Sequence, residues 1–242
     1  MRRTDEEKEK KDGKNFLITA LWSILILLVV QNFWPDVIPF RTFEFWGVRG
    51  GWRDWFGATW PLLVWGTGVT AIIRFTTLNE RWLNRHAESV FGAGALISVF
   101  AGVVEEICFR WLIFLGAIVG AKVCNFLFFG WLGWGMPEWF QVHAFGPLAD
   151  FFTLGRLHDW LYHPAGWEVG SAILTANAAF RNGHKYQGLF GYVNSWFCGM
   201  YFFWLMFHFG LPVAILAHFV YDLLIFAVIY VDAAIERAQE RT

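Results

Sequence analysis

Three short clusters place ionisable side chains inside otherwise apolar sequence: Glu105-Glu106 with Arg110, Phe180 with His184, and His218 with Asp222. Residues four apart share one face of an α-helix, so Glu106 stands beside Arg110 and His218 beside Asp222, while Glu105 is rotated by roughly 100° from Glu106. The spacing thus divides the glutamates. Arg110 can hold Glu106 ionised, and Glu105 is left to point elsewhere, as a proton acceptor for general-base work would. An aromatic one turn before a histidine packs on the imidazole and fixes its rotamer, which is the relation of Phe180 to His184. A carboxylate beside an imidazole fixes its tautomer and raises its basicity, the expected service of Asp222 to His218. One glutamate and two histidines can activate water in two ways. They can act as an acid–base set, or Glu105, His184 and His218 can be the ligands of a zinc-type divalent ion; both routes lead to hydrolysis.

Each cluster also has a plainer reading: a structural Glu106–Arg110 ion pair, a helix-end His184, a His218–Asp222 pair tying helices. Three separate helices carrying Glu, His and His beside their own fixing partners are harder to explain as packing. Two rival sites are weaker. His158, Asp159 and His163 could suggest a metal, but His158 and His163 are five apart and do not share a helical face. His208 lies in Phe207-His208-Phe209-Gly210-Leu211-Pro212, which reads as a turn between helices.

The elements that must position these residues are membrane-like. Of the 242 residues 57% are hydrophobic, 20% aromatic and only 16% charged. Several apolar runs are long enough to cross a bilayer core, which takes roughly 20 helical residues, and they lack the alternation of barrel strands. An acidic or basic residue at a membrane helix centre costs roughly 2.5–3.5 kcal/mol, so the charged motif inside the run from Val90 to Val119 marks function. The expected fold is an all-α, polytopic helical membrane bundle of about seven or eight segments around a polar intramembrane cavity, read as one domain.

Along the chain, residues 1–14 form a charged tail; Arg2, Arg3, Lys8, Lys10, Lys11 and Lys14 beside the first span argue for a cytoplasmic amino terminus. The long first apolar segment, with no small-residue cleavage pattern after it, is not read as a cleavable signal. Residues 15–100 hold the first spans, Phe16 to Phe33 and Ala58 to Phe75. An interfacial loop rich in Trp and Arg joins them, and a polar connector with Arg74, Glu80, Arg81, Arg85, His86 and Glu88 follows. Residues 101–231 form the core, with a polar insertion at about 146–168, and residues 232–242 a charged tail. Val123 to Phe145 fits a further span or a re-entrant segment, and Gly116 with Gly120 is a small-xxx-small pair permitting close helix packing. The net charge of −1 and the absence of a basic, aromatic-interleaved run exclude a nucleic-acid partner. Cys108, Cys124 and Cys198, all in apolar segments, read as packing residues.

The three motifs, in this order, resemble those of the CPBP intramembrane proteases, the family of CAAX prenyl endopeptidases and bacteriocin-processing or self-immunity proteins also called the Abi family. Gly210 to His218 is similar to the family's approach to its last motif, and the resemblance spans about Ala101 to Phe226. It implies peptide-bond hydrolysis in a polar cavity within the membrane. Glu105 and His184 would activate the water, His218 and Asp222 would stabilise the oxyanion, and Glu106, Arg110 and Phe180 would support the site. Where some members carry Asn, this chain has Asp222, which cannot donate when ionised and must orient His218, act protonated or support a metal. A metal-independent glutamate mechanism is the favoured expectation. The partners implied are the bilayer and a peptide or membrane-protein substrate, such as a prenylated tail or a leader peptide. The alternatives are a non-catalytic membrane immunity or scaffold protein and a proton-coupled transporter.

Overall fold

The computed structural model describes residues 2–76 and 87–239. The expected connector residues Glu80, Arg81, Arg85 and His86 lie outside the described residues. Among those described, all regular structure is helical, and two stretches, Gly94–Leu127 and Leu211–Gln239, are long and apolar enough to cross a membrane. The chain forms two compact units, each discontinuous in sequence: Met1–Glu44 with Cys108–Trp196, and Phe45–Ile107 with Phe197–Thr242. One boundary between them falls at Ile107/Cys108, inside the charged motif, so that Glu105 and Glu106 belong to one unit and Arg110 to the other.

The first unit begins with α1 (Arg2–Phe33), which extends the first apolar span back through the charged tail. Gln31 near its end holds the following loop. Its amide oxygen accepts from the Thr42 backbone N–H at 3.1 Å and from the Thr42 hydroxyl at 2.7 Å, and its nitrogen donates to the Phe40 carbonyl. The Thr42 carbonyl accepts from the Trp111 indole N–H, so a buried backbone group finds its partner sixty-nine residues on. After the charged motif, α4 (Phe114–Leu127) packs on α8 (Trp167–Gly183). Phe114, Leu115 and Ile118 on α4 and Ala172, Ile173 and Ala176 on α8 are all fully buried.

The apolar run from Val123 to Phe145 is not one span. The helix stops at Leu127, and the chain turns through Phe129 (φ 59°) and Gly133 (φ 79°), both left-handed. A new helical stretch then starts at Met136-Pro137, where Pro is well placed at a first turn. It comprises α5 (Met136–Phe140), a π-helical turn (Gln141–Phe145) and α6 (Gly146–Phe152). The expected polar insertion is therefore half helical, with α6 followed by the short α7 (His158–Leu161).

The second unit contains α2 (Trp52–Thr76), α3 (Ala87–Glu105), the carboxy-terminal part of α9 (Gly188–Phe209), and α10 (Leu211–Gln239). Helix α10 packs on both α2 and α3. Close approach is bought by missing side chains: a Cβ at Gly66 would run into the Tyr221 ring, and one at Gly94 into the Phe226 ring. At Gly102 it would crowd the Ile215 carbonyl and the Phe219 backbone N. Gly116 and Gly120, the pair singled out in the sequence, have nothing near such a Cβ and lie exposed. The α9–α10 turn uses Gly210 at φ +101°, where any side chain would strike the Gly47 carbonyl, and Arg49 N–H donates to the Phe209 carbonyl at 2.9 Å. Asp232, read as the start of a charged tail, is helical and buried on α10.

Candidate active site

The charged motif straddles a change of helix type. Helix α3 ends at Glu105, and Glu106–Ile113 is π-helical. Such wider turns occur mostly as single-turn insertions, often at functional sites.

In the second unit, Gly94, Ser98, Gly102 and Glu106 recur at four-residue intervals. Three small side chains thus bring the α3 backbone against α10, with Ser98 fully buried and its hydroxyl turned back on the Gly94 carbonyl at 2.8 Å. The next position on that row is Glu106, which explains why it, and not Glu105, reaches α10. The Glu106 carboxylate is fully buried and its Oε1 lies 2.7 Å from His218 Nδ1, itself 4% exposed. With Glu106 a carboxylate the bond has one sense: Nδ1–H donates. Asp222 Oδ2 lies 3.6 Å from the other ring nitrogen, Nε2, beyond hydrogen-bond length. Glu106 therefore supplies the hydrogen bond that orients His218, while Asp222, four residues on, stays within ion-pair reach of the second ring nitrogen. Phe202, 1% exposed, stacks on the His218 ring with centroids 4.5 Å apart and planes 19° from parallel. The imidazole is thus fixed in both rotation and plane. Tyr221, beside it on α10, is held by the Cys198 thiol, which donates to its hydroxyl at 3.4 Å. Cys198 is buried, and all three cysteines are free thiols.

In the first unit, Arg110 is fully buried and its guanidinium sits 3.9 Å from the centroid of the Phe180 ring, a cation–π contact. Phe109 meets the same ring edge-on at 5.5 Å. Phe180 in turn packs on the His184 ring at 4.6 Å, the relation expected from their spacing. His184 caps α8 just past Gly183, and its Nδ1 donates to the Phe180 carbonyl at 2.9 Å. Because a carbonyl only accepts, this bond places a proton on Nδ1. Two turns before His184, the buried Asn177 donates its amide N–H to the Trp196 carbonyl at 3.0 Å and ties α8 to the first half of α9.

Glu106, His218 and Asp222 are thus brought together in one unit, and Arg110, Phe180 and His184 in the other; Glu105 is half-buried at the end of α3. No three His, Cys, Asp or Glu side chains among the described residues are grouped to hold a metal ion. The rival residues are occupied otherwise. His158 Nδ1 pairs with Asp150 Oδ2 at 2.9 Å, while His163 lies on Trp160 and accepts from the Ala165 N–H. His208 donates to the Trp204 carbonyl at the exposed end of α9. Phe202 and the Gly94–Ser98–Gly102 row are the functional features the sequence reading missed. The row was visible as a four-residue repeat leading into Glu106, whereas Phe202 sends no local signal.

The chain matches no family model, no curated protein and no solved structure.

Proposed function

We propose that this protein is an intramembrane endopeptidase of the CPBP type, a multi-pass helical bundle with a cytoplasmic amino terminus. Glu105 takes a proton from water, assisted by His184 through Nε2, and the resulting hydroxide adds to the scissile carbonyl. His218 stabilises the oxyanion through Nε2–H, and the abstracted proton passes to the leaving amine. This role needs protons on both His218 nitrogens, an arrangement that Glu106 at one and Asp222 at the other can accommodate. Arg110 and Phe180 hold His184 in place. The substrate is a peptide or membrane protein, with a prenylated tail or leader peptide among the candidates.

The observation that carries the reading is the buried Glu106–His218 bond of 2.7 Å between two apolar helices. Such a costly group, fixed in rotamer and plane, is what an active-site imidazole requires. The test compares membrane proteomes of cells expressing the wild type, Glu105→Ala or His184→Ala at equal membrane levels. A cleaved species present only with the wild type is expected; its persistence with either variant sinks the assignment. A second reading, a non-catalytic immunity or scaffold protein, draws on the complete burial of Glu106, which suits a structural tie equally well. It predicts that neither variant changes the phenotype.

A further inference from the structure

The turn between α6 and α7 presents an apolar side chain where a turn ordinarily carries Gly or Asn. Leu154 adopts φ +54°, in the left-handed region that a branched side chain rarely enters, and is followed by Gly155 at φ +72°. It is also 85% exposed, the most exposed large apolar side chain among the described residues, and Phe151 beside it is 73% exposed. Strain and apolar exposure at one residue point to a function for that residue.

The turn is firmly built. Gly155 N–H donates to the Asp150 carbonyl at 2.9 Å, and Leu154 N–H to the Phe151 carbonyl at 3.1 Å. The Thr153 hydroxyl donates to the Ala149 carbonyl at 2.9 Å. Across its base, the Asp150 carboxylate clasps His158 Nδ1 at 2.9 Å. Asp150 also raises the His158 pKa above its ordinary 6.5, first through that hydrogen bond and then through its charge. An apolar tip of two side chains thus stands on a polar collar of Asp150, Arg156, His158 and Asp159.

We infer that Leu154 and Phe151 form a lipid anchor, inserted among the acyl chains, with the Asp150–His158 clasp at headgroup level. The inference rests on the membrane reading of the chain. Leu148 and Phe152 nearby in sequence are exposed as well, at 56% and 46%, and a bilayer accepts such an apolar wedge with ionisable groups at its rim. The same unit carries further exposed apolar side chains: the candidate span Gly94–Leu127 ends in Phe126 and Leu127, both 65% exposed, and the turn beyond it carries Trp131 and Trp134 at 63% and 68%. Trp at such exposure is the residue of the membrane boundary.

The test uses the full chain in phosphatidylcholine–phosphatidylglycerol vesicles. One sample carries a lipid with a photoactivatable diazirine on its acyl chain, another receives a water-soluble carbene precursor, and adducts are mapped by mass spectrometry. Lipid adducts on Phe151–Leu154 with protection from the aqueous reagent are expected. Leu154→Asn, which suits the left-handed backbone, should leave the thermal midpoint unlowered while reducing lipid adducts on that peptide several-fold. Aqueous labelling of the tip overturns the inference, and so does protection from both reagents, the mark of a protein partner. Lipid adducts on α10 but not on the tip overturn the anchor alone; their absence from α10 as well defeats the membrane reading beneath it.

Discussion

The assignment of Glu106, not Asp222, as the partner of His218 can be measured. Glu106→Gln keeps shape and leaves an amide oxygen able to accept from Nδ1–H, so only the charge assistance is lost. A hydrogen bond to a charged group is worth about 1.5–3 kcal/mol and a neutral one about 0.5–1.5, a difference of about 1–1.5 kcal/mol. Inter-helix polar bonds in membranes fall toward the lower end, because the unfolded chain finds partners in lipid too. A coupling of about 1 kcal/mol between Glu106 and His218 is therefore expected, roughly fivefold in the unfolding equilibrium. Asp222 stands 3.6 Å from Nε2 and its side chain is 23% exposed, so at that separation and with some water its coupling to His218 should stay below about 0.5 kcal/mol. The assay is a pair of double-mutant cycles, Glu106→Gln with His218→Gln and Asp222→Asn with His218→Gln, by reversible unfolding in bicelles. Glu106→Ala adds a buried unmatched N–H and should cost more, about 2–4 kcal/mol. An Asp222–His218 coupling equal to or larger than that of Glu106–His218 would refute the reasoning and return the orienting role to the four-residue pair.

Gly66→Ala should destabilise the protein by about 1–3 kcal/mol in the same unfolding assay, because its Cβ enters the buried Tyr221 ring. Gly116→Ala, with open space around its Cβ, should be neutral or stabilising by up to about 1 kcal/mol; the opposite order would show that the close helix contact lies elsewhere. Two histidines give the first unit opposite pH limbs. His158, raised by Asp150 and further by the charge of Asp159, contributes stability that is complete below pH 6.5 and lost as pH rises through its raised value. His163, lowered chiefly by burial against Phe40 and Trp160 and partly restored by Glu44, contributes stability that is present above pH 6.5 and lost as pH falls through its lowered value. Thermal midpoints measured from pH 5 to 9 should show the alkaline decline flatten in His158→Gln and the acid decline flatten in His163→Gln; unchanged limbs would remove both residues from the account.

How much of this could be read from the sequence depends on the range over which each feature is encoded. The helices, the Phe180–His184 contact and the glycine turn before α10 are local, set by apolar runs and four-residue spacing, and were legible. The partner of His218 was not, because two carboxylates compete for one ring and spacing along α10 favours the nearer in sequence. The structure decides for Glu106 through a different regularity, the row Gly94–Ser98–Gly102–Glu106, whose small members bring α3 onto α10 and deliver the carboxylate. That row was hidden by treating the motif as starting at its charges, when the residues that aim it lie one to three turns earlier. The split of the motif between two units has the same origin. A change from α- to π-helix at Glu106 alters the register of every later side chain, and no pattern of four-residue spacing reports it. The aim of a buried charge on a helix is therefore better read from the small residues preceding it on its own row than from the oppositely charged residue one turn away.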